Sequence, residues 1–163
     1  MTAPPSSQEL KQKGSDNLYT DSIIKGVREY MAACPLLAEL PIANKKGYID
    51  WVSDGNENYG IIIDADVEVK PFITGGGKHE YNFVLQARLK NEDKAALDNA
   101  EWVERMSNWC AEQSKAKHFP DMPKGCTPTK LISANGMLFE RDKPGKMALY
   151  QLQFKLNYIK TGG

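Results

Sequence analysis

The stretch YQLQFKLNY, residues 150–158, decides the fold: Tyr150, Leu152, Phe154, Leu156 and Tyr158 are apolar, while Gln151, Gln153, Lys155 and Asn157 between them are polar. Successive side chains of a strand leave on opposite faces, so this alternation predicts one sheet surface against a core and one against solvent or a partner. Two earlier segments repeat it. Ile61, Ile63, Ala65, Val67 and Val69 alternate with Ile62, Asp64, Asp66, Glu68 and Lys70, and Tyr81, Phe83, Leu85, Ala87 and Leu89 alternate with Asn82, Val84, Gln86, Arg88 and Lys90. Three such segments imply an antiparallel sheet with one buried face.

Working outward from the strands, a first helix is expected after Thr20, Asp21 or Ser22 as N-cap. Ile23, Ile24, Val27, Tyr30 and Met31 recur there at spacings of three and four until Pro35 interrupts. Leu36, Leu37 and Leu40 suit a short turn, and Lys46 to Val52 a short strand with Tyr48, Ile49 or Trp51 reaching the core. A long helix from Asn91–Asp93 to about Lys117 carries Leu97, Trp102, Val103, Met106, Trp109, Cys110 and Gln113 as its apolar stripe. Strands within about 129–141 and from Ala148 onward close the chain, with a turn over Asp142 to Gly145 between them. The order predicts an α+β fold, an antiparallel sheet of four to five strands covered on one face by two helices. Residues 1–19, rich in Pro, Ser, Gln and Lys, read as a flexible arm, and 20–163 as one domain.

Composition narrows the function. With 21 Lys and Arg against 21 Asp and Glu, there is no electrostatic reason to make duplex DNA or an anionic membrane the primary ligand. Cys34, Cys110 and Cys126 are odd in number and without C-x-x-C spacing, so they read as free thiols of a reducing compartment, the cytosol. No apolar stretch near the start reads as a signal peptide or a membrane span.

Four constellations invite chemistry. Cys110, His118 and Asp121 have the residue types of a nucleophile, base and orienter, but Cys110 sits on the apolar stripe beside Trp109, where a thiol acts as a small core hydrophobe. With only His79 and His118, no zinc pattern is present, and no cofactor is expected. Asp64, Asp66 and Glu68 line one face of a strand, a geometry open to a hard cation, to a solvated surface, or to a wall that repels phosphate. Gly75-Gly76-Gly77-Lys78 lacks the strand-to-helix context of a phosphate loop. Flanked by Phe72 and Ile73 between two strands, the segment Pro71 to Lys78 is too long for a tight turn and reads as a pliable tip pinned by something else or docking on another subunit.

Taken together, VREYMAACPLL (27–37), WCAEQS (109–114), GMLF (136–139) and ALYQLQFKLNY (148–158) resemble segments of the tail terminator family, small head–tail proteins of phages and prophages of Gram-positive bacteria. The resemblance runs in order over roughly residues 20–160 and leaves the arm outside. It implies an α+β protomer of a six-fold ring that caps the tail tube, stops its growth and docks the head. Its partners would be further copies of itself, the tail tube protein, the head or neck connector, and a sheath where the tail contracts. DNA would be passing cargo only, and no membrane or cofactor would be involved. On that reading Phe72, Ile73, Gly75, Gly76 and Gly77 are expected at a subunit interface and Asp64, Asp66 and Glu68 along the channel, in a non-enzymatic virion protein. The alternatives are another neck or tail-completion protein of the same particle and, more remotely, a small cytosolic enzyme using Cys110 and His118.

Overall fold

A computed structural model describes residues 19–42, 44–52, 57–91, 93–141 and 146–162, without the side chains of 93–96 and 134–141. Helix α1 is Ile23–Ala32, with the Ser22 hydroxyl accepting from the Lys25 amide at its N-cap. Pro35 then opens a four-residue helix α2, Pro35–Ala38, at the position where its missing N–H costs nothing. Strands β1 (Tyr48–Ile49), β2 (Asn58–Pro71) and β3 (Gly76–Lys90) lead to helix α3, Asp93–Ala116, and strands β4 (Cys126–Arg141) and β5 (Met147–Thr161) close the fold. The expected arm over 1–19 falls outside the described residues apart from Tyr19, and so does the turn over 142–145.

The sheet order is β1-β2-β3-β5-β4. Two long antiparallel hairpins, β2–β3 and β4–β5, are joined through α3, and β5 pairs with β3 along its whole length, from Gly76 opposite Thr161 to Lys90 opposite Met147. The sheet is mixed rather than wholly antiparallel, because β1 lies parallel to β2 with Tyr48 opposite Gly60. That two-residue strand is all that forms of the one expected over 46–52. Trp51 stays exposed, its ring against Tyr48 at 4.0 Å, and only Ile49 packs against the core.

The core lies between one sheet face and the three helices. Tyr81, Phe83, Leu85, Ala87 and Leu89 of β3 and Tyr150, Leu152, Phe154, Leu156 and Tyr158 of β5 are all buried, as their alternation requires. Phe83 and Phe154, directly opposite each other, stack with centroids 5.0 Å apart. Above them sit Val27 and Met31 of α1, Leu36 and Leu37 of α2, and Trp102, Met106 and Cys110 of α3. The Trp102 indole N–H donates to the Leu36 carbonyl, which satisfies its one polar atom and ties α3 to α2. Leu97 leaves the stripe. Five residues before Trp102, it lies about 140° round a helix of 3.6 residues per turn, and it is exposed.

Helix α3 also closes one sheet edge. The Ser114 hydroxyl accepts from the Leu131 amide and donates to the Leu131 carbonyl, filling both backbone groups that β4 turns away from β5.

Candidate functional site

The opposite edge is built differently. From Asp64 to Pro71 no residue of β2 is buried, so this outer half of the strand, paired with β3 as an arm of the sheet, lies outside the core. At its root Asp50, in the left-handed region at φ 62°, turns the chain so that its amide donates to Ile61 O and its carboxylate accepts from the Ile63 amide. Beyond that point β2 is the outer strand of the sheet.

A bulge changes which side chains face where. Ile63 lies opposite Phe83, yet Ala65 lies opposite Asn82, so Asp64 is an extra residue and the side chains from Ala65 to Glu68 change face; a second extra residue, Val69, restores the original facing before Lys70, which lies opposite Lys78. The expectation that Ala65, Val67 and Val69 continue the core face is therefore corrected. Of that row only Ile61 is buried; Ile63 is at the margin, Val67 is 45 % exposed on the uncovered side of the sheet opposite Glu80, and Val69 is 55 % exposed at the second bulge.

Asp66 and Glu68, expected on the polar face, instead share the helix-bearing face with Tyr81 and His79, which they oppose. Asp64 is exposed at the bulge itself, so the three acids do not form one row. Asp66 accepts a hydrogen bond from the Tyr158 hydroxyl at 2.7 Å to one oxygen and 2.9 Å to the other. Tyr158 stacks on His79, its partner across the ladder, with centroids 5.1 Å apart. The two ring nitrogens of His79 lie 3.9 Å from Asp66 and 3.9 Å from Glu68, one carboxylate at each. Burial, reinforced by the bond to Asp66, holds the Tyr158 phenol above the ordinary tyrosine value, so it stays a donor. The cluster therefore couples β2, β3 and β5 at the base of the arm. Carboxylates on opposite nitrogens of one ring diverge, and among the described residues no group of His, Cys, Asp and Glu is arranged to hold a metal ion.

The tip is tighter than its glycine content implies. The turn is only Phe72 to Gly75, closed by the Phe72 amide donating to Gly76 O and the Gly75 amide to Phe72 O. Gly76 and Gly77 belong to β3 and pair with Thr161 and Lys160 of the chain's own last strand. A Cβ on Gly76, at φ 73°, would come within 2.1 Å of the Lys160 carbonyl. The end of β5 thus pins the tip, a contact between segments too distant in sequence for local reading to detect. Ile73 projects fully into solvent, and Phe72 is half-buried.

The enzyme constellation does not assemble. Cys110 is buried, and burial pushes its thiol up to about 12, so it is a neutral thiol at physiological pH. His118 and Asp121 are exposed after the end of α3, and no hydrogen bond or ion pair among the described residues joins the three. Tyr30 holds this segment instead, donating to the His118 carbonyl at 2.8 Å.

No helix among the described residues is long and apolar enough to cross a membrane. Compared with models of known families and with curated proteins, the chain matches none.

Proposed function

We propose that the chain is a structural subunit of a phage tail, a tail terminator whose copies close a ring on the end of the tail tube and present a docking surface to the head. The observation that carries this reading is the arm. A 14-residue outer strand with no buried residue from Asp64 onward, bearing exposed Val67 and Val69 and followed by exposed Ile73 at the turn, has surface to give to a neighbour. The pinned turn and the Asp66–Tyr158–His79 cluster hold it in one shape, so little ordering entropy is lost on docking. Burial of the Cys110 thiol, with its raised pKa, favours this structural role over the enzyme that would use it.

A ring needs two different complementary surfaces on each protomer, and the arm supplies one. Phe72 and Ile73 at its tip are the contact residues in this reading, while Gly75, Gly76 and Gly77 shape the turn that presents them. Asp64, exposed at the bulge, and the half-exposed Asp66 and Glu68 are the acids that would face DNA, whose phosphates they repel rather than retain. The protein would work in the virion, at the tail–neck junction, after assembly in the host cytoplasm.

The test is tube growth. Tail tube subunits polymerised with this chain are expected to give capped tubes of limited length. Ile73→Ser, at a fully exposed position, should weaken the capping while leaving thermal unfolding nearly unchanged, and adding Phe72→Ser should weaken it further at a modest cost in stability. Tubes that bind the chain at one end but elongate freely would favour a neck or completion protein of the same particle, and tubes that ignore it would refute both.

A further inference from the structure

The arm has a cavity as well as a tip. Beside Val69, on the uncovered sheet face, a pocket of ≈ 280 Å³ opens between Lys78, Glu80, Thr129, Asn157 and Ile159, roomy enough for a branched aliphatic side chain. Lys78 lines it, and Lys70 stands directly opposite Lys78 across the ladder. Two like charges so placed repel, and neither lysine is ion-paired among the described residues. Glu80, the nearest acid on that face of β3, is taken by Lys155 at 3.4 Å. The site is thus a hole lined by Val69 and Ile159 among polar groups, with two lysines beside it that are unpaired among the described residues and its one acid, Glu80, held by Lys155.

The matching surface is on α3. Leu97 is 63 % exposed, and its helical neighbours at four and seven residues are Glu101 and Glu104, both exposed and neither ion-paired among the described residues. Arg105 beside them is engaged elsewhere, bridging to Glu39 at 3.0 Å. Here an apolar knob stands beside two carboxylates without an ion-pair partner among the described residues. The two surfaces differ and lie on different elements, as a heterologous contact requires, and a chain of zero formal net charge carries both.

Building on the ring reading, we propose that the occupant of the arm pocket is Leu97 of a second copy, with Lys70 and Lys78 facing Glu101 and Glu104 across the interface. The contact is directional: each protomer offers its arm to one neighbour and its helix to the other.

Disulfide trapping tests it. In a Cys126→Ser background, which leaves only the buried Cys34 and Cys110, one chain carries Val69→Cys and another Leu97→Cys. Both positions are exposed, so the variants are expected to fold, checked by an unchanged thermal melt. Under mild oxidation the mixture should yield cross-linked dimer and either variant alone should not. Lys70→Glu with Lys78→Glu should weaken assembly, as should Glu101→Lys with Glu104→Lys, and the chain carrying all four should regain it. An oligomer that forms without trapping in the mixture, or with equal trapping in each variant alone, overturns this interface and leaves the ring reading standing. A chain that stays a monomer at every concentration and with tail tubes present overturns both.

Discussion

Replacing Tyr158 by Phe removes one hydroxyl and little else, and it tests whether the base of the arm is held as described. The hydroxyl is the donor to both oxygens of Asp66, and the ring is buried to 2 % exposure. Hydrogen bonds to a charged partner contribute about 1.5–3 kcal/mol net. The Asp66 side chain is 42 % exposed, so water competes for it and the low end applies, about 1.5 kcal/mol. For a chain of 163 residues that corresponds to a fall in Tm of about 3–6 °C. Urea unfolding of wild type, Tyr158→Phe, Asp66→Ala and the double variant gives the coupling, expected near 1 kcal/mol because each single change strands the other partner. Amide exchange over 66–81 should quicken before exchange in β4. A coupling below about 0.3 kcal/mol would mean that the arm is not fastened to β5 through this pair.

Two further perturbations probe the tip and the core. Gly76→Ala places a Cβ against the Lys160 carbonyl in a left-handed conformation, and a loss of more than about 2 kcal/mol in urea unfolding is expected, with Gly75→Ala costing less because its nearest neighbour is 3.4 Å away. The Cys110 thiol is raised from 9.0 to about 12, so its contribution to stability is fully present below pH 9 and is lost as pH rises through 12, where the unfolded chain ionises first. Between those values wild type should lose about 1.4 kcal/mol per pH unit relative to Cys110→Ala; parallel curves would refute the buried neutral thiol.

The sheet was largely legible because β3 and β5 are paired with each other for fifteen residues and covered on one face, so their alternation reports burial directly. The same alternation misleads in β2. Ile61 to Val69 keeps its period in sequence, but the extra residue at Asp64 reverses the faces, and no composition signal marks a bulge formed where Ile63 and Ala65 settle opposite Phe83 and Asn82. Asp66 thereby reaches Tyr158, 92 residues away in the chain, and that pairing could not be read locally. The glycines at the tip pointed to pliability, whereas Gly76 and Gly77 are small because β5 and β2 approach them. Leu97 fell outside the stripe since α3 follows its 3.6-residue period through Asn99, Trp102 and Met106, and Asn99 donates to Lys90 O.

The central claim, that copies of this chain close into a ring, is tested most directly by the mass of the species on tail tube ends or at high protein concentration, measured by native mass spectrometry and imaged by electron microscopy. Six copies of the 18.2 kDa chain give about 109 kDa, and an annulus with an open centre is predicted. A species of one or two chains in both settings, or an open filament without closure, would contradict it.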